Sequence, residues 1–179
     1  MVEIAPITSA DIESFHRTLD LVARERRYLS FVEAPPLEST RAFVLDMITK
    51  GYPQLVAREA GEVVGWCDVT PKSGLIDARV GVLGMGLLPQ FRRQGIGTRL
   101  MARALAAARA FGFSRVELMV YRSNANAIRL YERAGFVIKA VQPAQGSKAV
   151  QPAQGSGDDI DRTMLVMALS LDGTAAGGR

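Results

Sequence analysis

The residues of this chain that could do chemistry concentrate in positions 87–97, Leu-Leu-Pro-Gln-Phe-Arg-Arg-Gln-Gly-Ile-Gly. An apolar run passes through Pro89 and the Arg92-Arg93 pair into Gly95 and Gly97, which open a stretch rich in alanine, leucine and arginine. Such a stretch is strongly helical. The N–H groups at a helix N-terminus lack intrahelical partners and sit at the positive end of the macrodipole, so they bind phosphate. Glycine at 95 and 97 lets a ligand approach the main chain without a Cβ in the way. The segment therefore predicts a site for an anionic cofactor bearing a pyrophosphate. Two rival nucleotide patterns fail on detail. A P-loop needs a lysine before its Ser/Thr, whereas Thr98 follows Gly97 directly, and Gly95-Ile96-Gly97-Thr98-Arg99-Leu100 lacks the third glycine of a dinucleotide fingerprint.

Other reactive side chains are few. Cys67 is the sole cysteine, so no intramolecular disulfide can form and a cysteine-based metal site is not expected. It lies in the apolar run 63–69 and reads as an inert buried thiol. His16, the sole histidine, falls among solvent-facing helix positions, and no metal is expected. Net charge is +4 from 22 basic and 18 acidic residues, without a basic run longer than two. That is too weak and scattered to imply a nucleic-acid partner. The N-terminus has no basic region before an apolar core, and no apolar stretch approaches the ~20 residues of a membrane span. A cytoplasmic protein with no membrane partner is expected.

The elements that must position the glycine turn follow from periodicity. Residues 2–4 predict a strand, and Thr8-Ser9-Ala10-Asp11 supplies helix-start chemistry. Ile12, Phe15, Leu19 and Val22 then mark an amphipathic helix to about Arg26. A loop with Pro35-Pro36 leads to a second helix, opened by Glu38-Ser39-Thr40 and closed at Gly51. Residues 54–58 and 62–68 predict strands around a tight Ala60-Gly61 hairpin. Residues 79–88 form a third strand, in which Gly81, Gly84 and Gly86 signal a bulge or a close backbone approach. A helix at 95–111, a strand at 113–120, a helix at 124–134 and strands at 136–141 and 163–169 complete the order. The pattern is an α/β domain with a mixed, mostly antiparallel sheet, spanning residues 1–171. Residues 139–147 and 148–156 are the same nine letters twice, Lys-Ala-Val-Gln-Pro-Ala-Gln-Gly-Ser. This duplication is expected within a flexible loop at 139–160, and residues 172–179 read as a disordered tail.

Two stretches resemble one family. Arg92-Arg93-Gln94-Gly95-Ile96-Gly97 is similar to the acetyl-CoA motif of the GCN5-related N-acetyltransferases, Arg/Gln-x-x-Gly-x-Gly/Ala. Residues 116–136 resemble that family's second signature, a strand, an Asn, then Ala-Ile-x-Leu-Tyr-Glu-x-x-Gly-Phe. The resemblance implies acetyl-CoA as cosubstrate, a cleft between splayed strands, and acetyl transfer to a primary amine of a small molecule such as an amino acid. Arg93, Gln94, Gly95, Ile96, Gly97 and Thr98 would hold the pyrophosphate. Met85, Gly86 and Leu87 would pair with the pantetheine arm like an added strand, the Leu87 N–H facing the thioester oxygen. Asn124 would contact the arm as well as capping a helix. Tyr131 would protonate the departing thiolate.

The base is less defined. Met119 stands where relatives that acetylate protein N-termini carry a glutamate, which weakens that reading. Glu117, two residues earlier and so on the same strand face, is a candidate acting through water. Tyr28 and Glu33, in the segment after the first helix, are candidate substrate contacts. A protein N-terminal acetyltransferase and a non-catalytic acyl-CoA-binding module stay open as alternatives. So does a homodimer, because the last strands of such sheets often pair between subunits.

Overall fold

The computed structural model describes residues 1–74, 79–143 and 163–172. Its elements are β1 (Glu3–Pro6), α1 (Ile12–Arg24), α2 (Leu37–Lys50), β2 (Gln54–Glu59), β3 (Glu62–Pro71) and β4 (Val80–Leu87). They continue with α3 (Ile96–Phe111), β5 (Arg115–Tyr121), α4 (Ala125–Arg133), β6 (Val137–Gln142) and β7 (Met164–Ser170). The seven strands form one mixed sheet in the order β1-β2-β3-β4-β5-β7-β6. Only β4 and β5 run parallel, so the sheet is α/β and mostly antiparallel, as the element order predicts.

Local chemistry sets the boundaries. Ahead of α1, the Thr8 N–H and hydroxyl both donate to Asp11 Oδ2 at 2.7 Å. Arg58 reaches the same carboxylate through Nε and Nη2 at 2.7 and 2.6 Å, tying the start of α1 to β2. Gly51 closes α2 in the left-handed region, where its N–H meets the carbonyls of Met47 and Ile48. Ala60 and Gly61 take φ of 51° and 83°, the pair of positive values that a two-residue hairpin turn requires.

The helices cover both faces of the sheet. Phe15 of α1 meets Trp66 of β3 edge-on at 5.7 Å between ring centroids, which fixes the α1 face. On the opposite face a Cβ built on Gly97 of α3 would lie 3.6 Å from Met85 of β4 and 3.5 Å from Leu130 of α4. Buried apolar side chains from β1 to β5, β7 and all four α-helices join in one core. The first four residues of the duplicated nonapeptide, Lys139 to Gln142, belong to β6 rather than to a loop. The rest of the duplication and nearly all of the C-terminal tail lie outside the described residues.

Candidate functional site

Strand register decides what the sheet offers. β4 pairs with β5 only through Val80↔Arg115, Gly81↔Val116 and Val82↔Glu117. Beyond that point the two strands part. The Leu88 N–H donates to Val64 O at 2.9 Å, which makes Gly65↔Leu87 a non-hydrogen-bonded pair of the β3–β4 ladder. The N–H and C=O of Leu87 therefore point away from β3, into the splay, and by the period of two so do those of Met85 and Leu83. A row of backbone groups thus lines the opening.

The strand runs into the glycine turn. Arg93 has φ 60° and Gly95 φ 77°. Left-handed conformations alternating in a turn create a concave nest of N–H groups. For Arg93 that backbone costs on the order of 1–2 kcal/mol, a strain typical of ligand-binding turns. Gly95 caps α3, whose first turn carries no acidic residue to offset the helix dipole. A Cβ on Gly97 would project toward Met85 and Leu130 in ordinary contact, so the protein itself tolerates one.

The two arginines part company. Arg92 turns back: its Nε donates to Leu87 O at 2.8 Å, and Nη1 donates to Glu25 Oε2 at 2.8 Å. Its Nη2 bonds the other Glu25 oxygen, and the guanidinium lies 4.8 Å from the Tyr28 ring centroid. Although Arg92 adjoins the turn in sequence, it adds no free charge there, since it is spent on Glu25. Arg93 is exposed and forms no ion pair among the described residues.

A cleft of ≈ 580 Å³ joins these parts. Its wall carries Tyr28, Met85, Gly86, Leu87, Arg93, Gly95, Gly97, Thr98, Asn124 and Tyr131 of the sequence-predicted set. Asn124 caps α4, with Oδ1 accepting from the Ala127 N–H at 3.2 Å, so its amide NH₂ is left to donate elsewhere. Tyr131 is buried against Phe136, and burial pushes its phenol well above the ordinary range, Cys67 adding to the shift. None of the hydrogen bonds among the described residues involves its hydroxyl.

Four predicted residues lie off the cleft wall. Gln94 is exposed and folds back to Gln90 O at 2.7 Å, and the Ile96 side chain is in the core. Glu33 is exposed, 3.7 Å from Arg24. Glu117 sits at the foot of the splay, where Lys72 and Arg115 bond its carboxylate. Burial raises its pKa, but those cations outweigh it and hold the carboxyl below its usual value. A carboxylate so occupied is a poor base, which corrects the sequence expectation for Glu117. The glycines of β4 make the close approach that the sequence expects. A Cβ on Gly86 would lie 2.2 Å from Trp66 Cη2, and one on Gly84 3.1 Å from Asp68 Oδ1. Their missing side chains make room for Trp66 and Asp68 of β3.

Sequence reasoning missed Arg129 and Arg133, which add cationic lining from one face of α4. Their spacing of four was the available signal. Among the described residues no group of three His, Cys, Asp or Glu side chains could hold a metal, and no helix is long and apolar enough to cross a membrane.

Comparison with known proteins agrees with this geometry. Residues 18–136 match the model of the acetyltransferase (GNAT) family. The chain is 37% identical over 87 residues to a mycothiol acetyltransferase of Propionibacterium freudenreichii, a match covering 47% of this chain and 27% of that protein. It is 30% identical over 99 residues to an L-methionine sulfoximine/L-methionine sulfone acetyltransferase of Salmonella typhimurium, covering 55% of this chain and 58% of that one. The matched stretch thus spans between about a quarter and three fifths of these relatives' own length. In structure it is similar to a GNAT superfamily phosphinothricin acetyltransferase of Sinorhizobium meliloti solved in complex with acetyl-CoA. That likeness has a TM-score of 0.82 at 20% identity, over 99% of this chain and 93% of the other.

Proposed function

The chain belongs to the acetyltransferase (GNAT) family, and from that premise we propose that it transfers the acetyl group of acetyl-CoA to the primary amine of a small molecule such as an amino acid. The observation that carries the reading is the register of β4. Its outward backbone groups begin where β5 leaves it and lead straight into the Arg93–Gly95 nest. That donor set fits a pyrophosphate on an extended amide-bearing arm, because a nest takes the anion and an unpaired strand edge takes amides.

Acetyl-CoA supplies an activated acyl group as a thioester. The protein's part is to hold and polarise it. N–H groups from Arg93 to Thr98 hold the pyrophosphate, helped by the Arg93 charge. Backbone groups of Met85 and Leu87 hold the arm, and the Asn124 amide donates to it from the other wall. The Leu87 N–H is aimed into the splay, where it can bond an oxygen gathering negative charge; a single donor of this kind contributes about 2.7–4 kcal/mol. The Arg92 bond to Leu87 O, anchored through Glu25, holds the adjoining Leu87–Leu88 peptide on the far side of the same Cα.

Tyr131 donates a hydrogen bond to the departing sulfur. Its raised pKa keeps the phenol protonated but makes full transfer to a thiolate, whose conjugate thiol titrates near about 8.5, uphill. Tyr131 thus stabilises the thiolate mainly as a bond donor. A small-molecule acceptor is supported by the substrates in the relatives' names and by Met119 where N-terminal acetyltransferases carry a glutamate. A homodimer through the β6 edge is part of the proposal, since Val137, Ile138 and Val141 are exposed there.

The test is a thiol-release assay with acetyl-CoA across the proteinogenic L-amino acids, L-methionine sulfone and peptides with free N-termini. Release with one or more small amines is expected. Release with peptides alone would overturn the small-molecule assignment. Acetyl-CoA binding without any release would leave a binding module.

A further inference from the structure

One row of residues crosses the sheet on the α1 face, apart from the groups assigned to the cofactor. The Val69 N–H donates to Pro53 O at 2.8 Å, so Gln54 of β2 and Asp68 of β3 form a non-hydrogen-bonded pair, the kind whose side chains approach most closely. Asp68 in turn pairs with Gly84 of β4, which lines the cleft. The row Gln54–Asp68–Gly84 therefore runs from a core strand to the place where β4 and β5 part.

Both polar members lack a side-chain partner among the described residues. Gln54 is 3% exposed, and neither its amide oxygen nor its nitrogen has a hydrogen-bond partner among the described residues. Asp68 is part-buried with no bond or ion pair among the described residues, and burial alone pushes its carboxyl up to about 7. The charged groups on neighbouring elements are committed elsewhere. Asp20 of α1 pairs with Arg24, His16 bonds Thr40 of α2, and Lys72 takes Glu117 of β5. Cys67, next along β3, points to the other face and feels the Asp68 charge as a further upward push on its thiol. An unpaired carboxylate and an unpaired amide in adjacent register are costly, and such cost is found where a ligand completes the bonding.

We propose that Asp68 is the catalytic base of the acetyl transfer, reached by the acceptor amine from the α1 face of the sheet through the gap beside Gly84. This rests on the acetyltransferase reading above. It places acceptor and cofactor on opposite faces: Asp68 and Trp66 share the α1 face, while Met85, Leu87 and Tyr131 belong to the α3/α4 side. An ammonium must lose two protons as its nitrogen bonds the acetyl carbon and the carbon–sulfur bond breaks. One goes to Asp68 and from it to solvent; the other ends on the sulfur as the thiol. The pKa gap from an alkylammonium near 10.4 falls from ~6.5 units for an ordinary carboxylate to ~3 for this one, which suits a base working at neutral pH. Asp68 Oδ1 lies against Gly84, 3.1 Å from where a Cβ there would stand, and Gly84 lines the cleft.

The test combines Asp68→Asn, Gly84→Ala and the wild-type chain, with the amine that turns over fastest among the proteinogenic L-amino acids and L-methionine sulfone. In the wild type kcat/KM for the amine should rise with pH through about 7. Asp68→Asn should lower it by about 10²–10⁴-fold and abolish that limb, with acetyl-CoA binding kept. Gly84→Ala should raise KM for the amine while leaving KM for acetyl-CoA within about twofold, because its methyl crowds Oδ1. A readout independent of turnover is the melting temperature. Asp68→Asn should exceed the wild type at pH 8, the gap closing toward pH 4. If Asp68→Asn keeps the limb and more than a tenth of the rate, or the melting gap is absent, Asp68 is not the base. If no amine releases thiol from the wild type, the acetyltransferase reading fails instead, and the melting comparison still reports on the unpaired carboxylate.

Discussion

Adjacent arginines with opposite assignments allow a sharp prediction. Replace Arg92 and Arg93 separately by alanine and measure thermal unfolding and acetyl-CoA affinity for each. Arg92 makes a bidentate pair with Glu25, a bond to Leu87 O and a cation–π contact with Tyr28, its side chain 27% and that of Glu25 21% exposed. Hydrogen bonds to charged groups contribute about 1.5–3 kcal/mol each, and partial exposure reduces this. Removing the whole set while leaving Glu25 unpaired should cost about 2–3 kcal/mol. For a domain of this size that lowers Tm by about 5–10 °C. Acetyl-CoA affinity should change by less than about threefold if Leu87 keeps its position. Arg93 has no ion pair among the described residues, so Arg93→Ala should leave Tm within about 2 °C. Its charge beside a pyrophosphate is worth about 1–4 kcal/mol between aqueous and protein-surface dielectric, so Kd should rise at least about fivefold. The Arg93→Ala complex should also be less sensitive to salt. Calorimetric titration and melting curves suffice. An Arg92→Ala protein with unchanged Tm and a tenfold weaker Kd would refute the division.

Further outcomes follow from the same geometry. Tyr131→Phe should lower kcat by about 10²-fold or more, with acetyl-CoA affinity retained within about threefold, as steady-state kinetics beside titration would show. Gly86→Ala, whose Cβ would lie 2.2 Å from Trp66, should cost about 1–3 kcal/mol in chemical denaturation. Gly97→Ala meets only ordinary contacts and should unfold no more easily, yet bind acetyl-CoA more weakly because the methyl stands at the phosphate turn. For Asp68 the sign of the pH effect follows from its raised folded-state value. The native chain holds that proton more tightly than the unfolded chain, so the stabilisation is full below about pH 4 and lost as pH rises through about 7. Over ~3 units the loss approaches about 4 kcal/mol, and denaturation of Asp68→Asn against wild type from pH 4 to pH 8 measures it.

The order of elements was legible because local chemistry fixes it. The Asp11 start of α1, the Gly51 stop of α2, the Ala60-Gly61 hairpin and the Asn124 cap all act within a few residues of chain. The glycine turn was legible for the same reason. What the sequence concealed lies across strands. Whether Arg92 or Arg93 faces the ligand depends on Glu25, remote in sequence and brought near by α1. The glycines of β4 signal a close approach, but only register shows that Trp66 and Asp68 make it. Glu117 shares a strand face with Met119, as alternation predicts, yet its role is set by Lys72, just past the end of β3. Asp68 and Gln54 stand in apolar runs that read as core, and their pairing is a property of the assembled sheet. An acid inside the apolar run Val63 to Val69 was the signal available.

The most direct test of the account is product identification: incubate the protein with acetyl-CoA and the small-amine panel, and follow both released thiol and acetylated amine by mass spectrometry. The account predicts at least one N-acetylated small amine formed in equal amount to the thiol released, and lost in Tyr131→Phe. Thiol release without acetylated amine, or acetyl-CoA bound with neither product, would contradict it.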